Sequence, residues 1–266
     1  METIPARLVG MDGTEIERAG MVDVRGNRAI NVNAGLPPMA RDRELKSEPV
    51  AIVGYGPSLN QTWERLHQFK TIWTVSKAHD YLIEKGIIPT HHLDLDPRIH
   101  KVQFMTRPQK GTKYFLSSHV HPSYPEKLKA AGVDVSMFHV AVDKHEKLDP
   151  RYPSLKVRFD AGVQAAEAAF QNGYRNQHWF GIDYGHEGDM THAGLHWGVT
   201  APVCQVMCQV NGRERAFQTS NLFFHGLLLA EHFLCDRALV KCTIHGDGLL
   251  RHFLKDRGKA KFSVAP

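Results

Sequence analysis

The sequence predicts an α/β fold, in which helices cover both faces of a mostly parallel sheet. Two observations carry this prediction. Short, continuous apolar runs are typical of strands buried on both faces, and amphipathic segments with helical spacing lie between them. Strands that alternate with helices of about 10–15 residues indicate a parallel sheet, because each crossover connection carries a helix. The chain has 266 residues, of which 42% are hydrophobic, so it can bury a sizeable core.

The first strand and helix show the pattern most clearly. Residues 49–54 form the first apolar run, and Leu59, Trp63, Leu66 and Phe69 follow it at the spacing of one helix face. Further strands are predicted at 71–75, 91–97, 113–117, 133–142, 179–183 and 239–244, and helices at 78–85, 124–131, 161–170 and 221–234. Asn211-Gly212 lies between two strand-like runs and favours a two-residue hairpin. Together these features predict a Rossmann-like sheet with a C-terminal hairpin.

The N-terminal segment has a different pattern. Residues 1–48 contain short alternating stretches at 7–9 and 21–24, several glycine-containing turns, and a polar segment with two adjacent prolines. We interpret 1–48 as a small β arm and a linker, and 49–266 as a Rossmann-like nucleotide-binding catalytic domain. The sequence assigns no function to the arm.

Charge and cysteine content restrict the class of protein. The net charge of +5 suits an anionic ligand such as a nucleotide, and would also tolerate nucleic acid. The four cysteines form no CxxC pair, so we expect four buried thiols in a reducing compartment. No run of eighteen apolar residues and no signal-peptide pattern is present. We therefore expect a cytoplasmic protein without a membrane partner.

The first strand ends in a turn that reads Gly54-Tyr55-Gly56-Pro57-Ser58. Its two glycines allow the backbone to turn sharply and to approach a ligand closely. The free N–H groups at the start of the following helix favour a phosphate. The turn is neither the GxGxxG fingerprint nor a P-loop, so a tight turn without a ligand remains an equal alternative.

A second cluster of polar residues lies within 91–97, where the predicted strand runs into an acidic turn. Alternate residues of a strand point the same way, so Asp94 and Asp96 could hold a divalent cation, Mg²⁺ or Mn²⁺, together with a diphosphate. Arg98 could neutralise phosphate charge. The alternative is that one aspartate caps the next turn and the other faces solvent.

A third cluster combines Asp183 at a strand end with His192 in the loop that follows. An acid and a histidine in these places make a plausible wall of a site. His192 is a candidate general base, because the pKa of histidine can lie near the working pH. A structural role for a single loop histidine remains open.

Taken in order, several segments resemble the MptE-like family: IVGYGPSL at 52–59, YLIEKGIIPT at 81–90, DLDP at 94–97, GID at 181–183 and THA at 191–193. That family includes archaeal 6-hydroxymethylpterin diphosphokinases and the domain of bacterial motility accessory factors, which are linked to glycosylation of flagellin. The Gly-Pro-Ser-Leu turn is also similar to that of bacterial family 42 sialyltransferases, which use a sugar nucleotide on a related Rossmann-like fold. The resemblance covers the segment from about residue 50 to about residue 250.

The resemblance implies a role for each cluster. The 54–58 turn would shape the nucleotide site, and Asp96 would lie at the phosphate or metal position, with Asp94 beside it. Asp183 would contact the ligand near the edge of the sheet, and His192 would lie where a catalytic base acts. Tyr55 departs from related turns, which often carry a small or amide residue, so we expect a different approach to the base or ribose.

The sequence and the family resemblance leave three functions open. We favour a glycosyltransferase that uses a nucleotide-sugar donor and a hydroxyl acceptor, which could be a small molecule, a glycan or a nucleic acid. The catalytic candidates are His192, Asp183 and Asp96, and either His192 or an aspartate would take the proton of the acceptor hydroxyl. The second function is a 6-hydroxymethylpterin diphosphokinase that uses ATP, with Mg²⁺ held by Asp94 and Asp96. The third is a nucleotide-binding module without turnover.

Overall fold

The computed structural model describes residues 8–9, 15–16, 23–141, 146–155, 160–188, 190–194, 203–257 and 262–264. Within these ranges, nine strands form one sheet in which all neighbouring strands are parallel. The predicted α/β, Rossmann-like architecture is confirmed. Residues 7, 21, 22 and 142, which belong to stretches given as alternating or as strands, lie outside the described residues, as does most of the predicted arm.

The strands and helices have the following bounds. The strands are β1 Leu8–Val9, β2 Glu15–Ile16, β3 Val50–Val53, β4 Thr71–Val75, β5 His91–Asp94, β6 Lys113–Ser117, β7 Asp134–Val140, β8 Ser154–Leu155, β9 Asn176–Phe180, β10 Val203–Val210, β11 Arg213–Ser220, β12 Lys241–Ile244 and β13 Phe262–Val264. The helices are α1 Val24–Asn33, α2 Leu59–Thr62, α3 Ala78–Glu84, α4 Ser123–Ala130, α5 Ala161–Gln171, α6 Asn221–Asp236 and α7 Leu249–Arg257. Two 3₁₀ helices follow α2 and β5, at Trp63–Gln68 and Ile99–Phe104.

The order of the strands places a crevice in the middle of the sheet. The order is β13-β12-β9-β3-β4-β5-β6-β7-β8. The chain adds strands on one side of β3 as far as β8, and then crosses to β9 on the other side of β3. The loops after β3 and β9 therefore leave the sheet in opposite directions. The crevice between such loops is the place where open α/β sheets bind ligands.

Strand β3 shows how both faces of the sheet are covered. Val50 and Ile52 belong to a core that includes residues of α5, α6 and α7, whereas Ala51 and Val53 belong to a core with residues of α2 and α3. All four side chains are fully buried. Burial on both faces explains why this strand is continuously apolar rather than alternating.

The predicted hairpin is confirmed. Strands β10 and β11 pair in antiparallel fashion, and Asn211 and Gly212 join them with φ values of +53° and +77°. Positive φ at both positions defines a turn whose twist matches the right-handed twist of the strands. The hairpin places β11 beside the carboxyl ends of the central strands, where it lines the cleft described below.

Helix α6 packs against α5 and carries one exposed thiol. Cys208 and Cys242 are buried, but Cys204 is half-buried and Cys235 lies on the exposed side of α6. The prediction of four buried thiols is thus wrong for two of them, because Cys235 lies on the outer face of this helix and Cys204 lies in a hairpin strand, β10, that is only partly covered. In the part of the chain that the structure describes, no helix is long and apolar enough to cross a bilayer.

The N-terminal segment contains a helix that the sequence analysis did not predict. Strands β1 and β2 form a small antiparallel pair, as expected of an arm. The interpretation of the stretch at 21–24 as part of a β arm is wrong for its two described residues, Asp23 and Val24. Val24 begins α1, and Asp23 caps this helix by accepting the Gly26 N–H at 2.7 Å. The proposed domain boundary between residues 48 and 49 stays a prediction.

The buried side of α1 is polar and closes the carboxyl ends of β6 and β7. The Asn31 side chain donates to the carbonyls of Ser118 (2.9 Å) and Val120 (2.8 Å). The Arg28 guanidinium donates to the Val140 carbonyl at 2.8 Å and to the Ser118 hydroxyl at 3.2 Å, and it pairs with Glu146. Because α1 covers the carboxyl ends of β6 and β7, a ligand at this edge of the sheet would bind near β3, β4, β9 and β12.

We expect Asn31→Ala to lower the free energy of unfolding by about 2 kcal/mol, because two buried carbonyls lose their donors. The matched control is Asn33→Ala, the same change on an exposed residue of the same helix, with an expected effect within about 0.5 kcal/mol. Urea denaturation measures both. Equal effects of the two substitutions would contradict an anchoring role for α1.

Candidate functional site

The 54–58 turn is tied to the loop that follows β9. The Gly54 N–H donates to the Phe180 carbonyl at 2.8 Å, and the Gly56 N–H donates to the Gly181 carbonyl at 2.7 Å. A Cβ on Gly54 would lie 2.5 Å from the Gly181 oxygen, and one on Gly56 would lie 2.4 Å from the Asp183 Oδ2 atom. Both glycines are thus required by the close approach of two loops. Their predicted role in approaching a ligand stays a prediction.

Asp183 holds three loops together at this point. Its side chain is buried, and it accepts the Ser58 N–H at 2.8 Å and the Ser58 hydroxyl at 2.6 Å. A Cβ on Gly248, in the loop after β12, would lie 2.3 Å from its Oδ1 atom. Burial raises the pKa of Asp183 to about 6, although the hydrogen bonds from Ser58 act in the opposite direction. These contacts fit a residue that positions the turn, and its predicted contact with a ligand stays a prediction.

A cleft of about 380 Å³, lined by both polar and apolar residues, opens beside these loops and falls within the size range of small-molecule sites. It lies at the carboxyl ends of β3, β9 and β12, at the point where the strand order reverses. The cleft brings together Pro57, Ser58 and Asp183 from the sequence prediction. Its remaining lining residues are Gln61, Gly185, His186, Glu187, Gly188, Arg215, Ala216, Phe217, Gln218, Asp247, Gly248 and Leu249.

An ion pair that the sequence analysis missed joins the hairpin to the loop after β12. The Arg215 guanidinium donates to Asp247 at 2.7 Å and lies 4.4 Å from the centre of the Phe217 ring. The His252 Nε2 atom lies 2.7 Å from the other oxygen of Asp247. Burial raises the pKa of Asp247, but the bonds from Arg215 and His252 outweigh it and leave the pKa below its usual value. Arg215 and Asp247 lie 32 residues apart, so local sequence patterns carry no signal for this contact.

The two aspartates predicted to bind a metal have different surroundings. One Asp94 oxygen accepts the N–H groups of Leu95 (2.7 Å) and Asp96 (3.1 Å), and burial raises the pKa of Asp94. The Asp96 carboxylate binds the Arg98 guanidinium at 2.8 and 2.5 Å and lies 3.3 Å from the Lys101 ammonium. Burial raises the pKa of Asp96, but Arg98 and Lys101 outweigh it and lower the pKa to about 2.

Asp96 is therefore already neutralised by protein cations, and Arg98 pairs with it rather than pointing to open space. Among the described residues, no group of three or more His, Cys, Asp or Glu side chains could hold one metal ion. A cation between Asp94 and Asp96 would need diphosphate or water oxygens as its other ligands. Metal binding here stays a prediction.

His192 lies beside the turn, on the side of Tyr55. Its Nδ1 atom is 2.9 Å from the Thr191 hydroxyl oxygen, and its ring centre is 5.9 Å from that of Tyr55. Burial, and after it the charges of Lys101 and Lys77, lower the pKa of His192 to about 4. The imidazole is therefore neutral at pH 7, which is the form that a general base requires.

The structure adds a basic cluster at the carboxyl ends of β4 and β5, formed by Lys77, Arg98 and Lys101. The ammonium groups of Lys77 and Lys101 lie 3.8 and 5.2 Å from the centre of the same Phe104 ring. Lys77 follows Ser76, the residue directly after β4, so a search of strand ends could have found it. Lys101 belongs to a 3₁₀ helix that the sequence analysis did not predict.

We expect Gly56→Ala to lower the free energy of unfolding by about 2 kcal/mol, because the new methyl group meets the Asp183 carboxylate and the Gly181 backbone. The control is Gly162→Ala in α5, where the nearest atom to a Cβ is a side-chain carbon at 3.3 Å. It should stay within about 1 kcal/mol of the native protein. Thermal unfolding compares the two variants. A Gly56→Ala protein as stable as the control would show that the loops can separate at little cost.

The family of the chain follows from a comparison with family models. The model described as 6-hydroxymethylpterin diphosphokinase MptE-like matches residues 29–189, which is more than half of the chain. This chain belongs to the MptE-like family. The matched segment of this MptE-like protein contains the 54–58 turn, Asp94, Asp96 and Asp183, and it ends before His192 and the hairpin.

A solved structure has a similar fold. The MAf glycosyltransferase from Magnetospirillum magneticum AMB-1 is similar with a TM-score of 0.55 and 16% sequence identity, over 89% of the MptE-like chain. At this identity the likeness shows the fold alone. The chain spans 41% of the length of that protein. The search of curated proteins gave no match.

Proposed function

We propose that this MptE-like protein is a nucleotide-dependent transferase, and specifically a glycosyltransferase that moves a sugar from a nucleotide-sugar donor to a hydroxyl acceptor. One observation carries the proposal: a cleft of about 380 Å³ opens at the carboxyl ends of β3, β9 and β12, where the strand order reverses. Family membership supports a transferase. The shared fold with a glycosyltransferase supports the specific reaction class.

The surroundings of Asp96 favour this reaction over a diphosphokinase. Diphosphate transfer from ATP depends on Mg²⁺ to neutralise phosphate charge. Arg98 and Lys101 already occupy the Asp96 carboxylate, so Mg²⁺ would have to displace them. The diphosphokinase remains the second candidate, because Asp94 ends β5, Asp96 follows two residues later, and the family description names that activity.

In the proposed reaction, His192 is the general base. Its neutral imidazole takes the proton of the acceptor hydroxyl, and the oxygen forms a bond to the anomeric carbon of the sugar. The bond from that carbon to the phosphate oxygen breaks, and the nucleotide leaves with the electron pair. Basic side chains near the leaving phosphate stabilise the charge that develops there.

The charge of the cleft favours an uncharged acceptor over a nucleic acid. Among the described residues that line it, three carry a carboxyl group, Asp183, Glu187 and Asp247, and Arg215 carries a guanidinium. Carboxylates repel a phosphodiester backbone but accept hydrogen bonds from hydroxyl groups. A small hydroxylated molecule or a neutral glycan fits this lining, and in the proposed arrangement the phosphates of the donor lie outside the carboxylate-lined part of the cleft.

A thermal-shift panel tests the proposal. It contains ATP, GTP, CMP, CDP, UDP and their sugar derivatives, each with and without Mg²⁺. A ligand at 100 times its dissociation constant adds about 2.7 kcal/mol of stability.

We expect a shift in melting temperature with one class of nucleotide or sugar nucleotide in the absence of metal. A shift with ATP only in the presence of Mg²⁺ would favour the diphosphokinase. A sugar nucleotide that binds but is never consumed would favour a non-catalytic module, and no shift at all would overturn the proposal.

A further inference from the structure

We propose that Lys77 and Lys101 bind the phosphate groups of the nucleotide, in a subsite at the carboxyl ends of β4 and β5. This inference rests on the proposed function, since it names the residues that hold the donor. Neither lysine belongs to the 54–58 turn or to the aspartate pair.

The two lysines converge on one aromatic ring. Lys77 precedes α3 directly and Lys101 belongs to the 3₁₀ helix after β5, yet their ammonium groups lie 3.8 and 5.2 Å from the centre of the Phe104 ring. Two like charges near one ring repel each other. Burial and then the charge of Lys101 lower the pKa of Lys77. A phosphate between the two ammonium groups removes this repulsion and accepts a charge-assisted hydrogen bond from each.

The backbone at the end of β4 is strained. Ser76 has a φ of +50°, in the left-handed region that non-glycine residues rarely adopt. Its hydroxyl oxygen lies 3.4 Å from the Lys101 ammonium. Strain of this kind is concentrated at ligand sites, because the surrounding structure must hold the residue in place. The strained turn directs the Ser76 hydroxyl, a further hydrogen-bond donor, to the same place as Lys101.

Positive charge exceeds negative charge where Lys101 reaches the strand ends. Arg98 and Lys101 both pair with the Asp96 carboxylate. Asp94 is buried, and burial raises its pKa. The ammonium of Lys77 lies over the same Phe104 ring as that of Lys101, so three cations gather around these two aspartates, which favours an anion.

The loop that carries His192 lies at the same edge of the sheet as the subsite, since the Ala193 N–H donates to the Tyr55 carbonyl in the turn after β3. Burial, and then the charges of Lys101 and Lys77, lower the pKa of the His192 imidazole. A phosphate held by these lysines would offset the effect of their charge on the proposed base. This arrangement places the leaving group and the attacking hydroxyl at the same edge of the sheet.

The test measures binding of inorganic pyrophosphate, and of CDP, UDP, GDP and ADP, by isothermal titration calorimetry. Lys77→Met and Lys101→Met are each expected to weaken binding about tenfold, the effect of losing one hydrogen bond to a charged group. Lys77→Arg should keep most of the affinity. The matched control is Lys129→Met, an exposed lysine in the last turn of α4, near the amino ends of the strands.

The outcomes separate this inference from the proposed function. A nucleotide that binds the native protein and both methionine variants equally well overturns the lysine subsite and leaves the transferase standing. Pyrophosphate binding that depends on the lysines, without binding of any nucleotide, supports the subsite and overturns the proposed function. Absence of binding by pyrophosphate and by all nucleotides overturns both. Melting temperatures of the variants show whether each one is folded.

Discussion

Replacing His192 by alanine is expected to lower kcat by about 10²–10⁴-fold while nucleotide affinity is unchanged, because a general base acts on the acceptor and not on donor binding. The measurement is a steady-state assay with the donor that the thermal-shift panel identifies. A variant that loses donor affinity and keeps kcat would show that His192 is a binding residue. The matched control is His67→Ala, which removes an exposed histidine from the 3₁₀ helix after α2 and should leave kcat unchanged.

The pH profile of the native enzyme gives a second test of His192. Its pKa is lowered to about 4, so the neutral imidazole persists as pH falls from 8 to 5. We expect kcat/KM to decline only as pH approaches 4, and this decline to be absent from the residual activity of His192→Ala. A decline near pH 6.5, the ordinary value of a histidine, would contradict the burial of this ring. The low pKa makes the imidazole a weaker base but keeps all of it available at neutral pH.

Asp183→Ala is expected to lower the free energy of unfolding by about 3 kcal/mol, because the buried N–H and hydroxyl of Ser58 both lose their acceptor. Asp183→Asn keeps an acceptor for one of them and should cost much less. The control is Asp134→Asn at the exposed start of β7. Chemical denaturation at pH 7 compares the three variants. An alanine variant as stable as the asparagine variant would show that Asp183 does not hold the 54–58 turn.

The raised pKa of Asp183 also predicts how stability depends on pH. Its folded-state pKa is about 6, against an ordinary value of 3.8. Between these values the folded state keeps a proton that the unfolded state has lost, so this contribution is complete below pH 3.8 and is lost as pH rises through 6. At 1.36 kcal/mol per pKa unit, the loss is about 3 kcal/mol. The difference in stability between native protein and Asp183→Asn should change by this amount across the window, and a constant difference would contradict the shift.

The sheet could be predicted because its central strands are buried on both faces and read as apolar runs. Helix α1 could not be predicted in this way. Its buried positions are Arg28 and Asn31, so it has no apolar stripe, and hydrogen bonds to distant loops hold it instead. Helix α7 does carry such a stripe, with Leu249, Leu250, Phe253 and Leu254 buried, but the predicted elements ended at the last strand.

Part of the candidate site could be predicted for a similar reason. The 54–58 turn and Asp183 follow neighbouring strands of a parallel sheet, so topology alone brings them together. Arg215 reaches the cleft through the orientation of a hairpin, and Lys101 reaches the basic cluster through a short 3₁₀ helix. Neither contact follows from spacing along the chain, because each depends on how loops pack.

The polar anchoring of α1 also bears on the order in which the chain folds as it is made. The acceptors for Asn31 and Arg28 at Ser118, Val120 and Val140 follow their donors by 87 to 112 residues. A ten-residue helix is only marginally stable alone in water, so α1 has little reason to persist when it leaves the ribosome. Its synthesis comes before that of the sheet, but its docking has to wait until β6 and β7 exist. A nascent chain arrested before residue 140 would therefore keep its first helix undocked. The sheet strands that follow this point, β8, β9, β12 and β13, would still be missing.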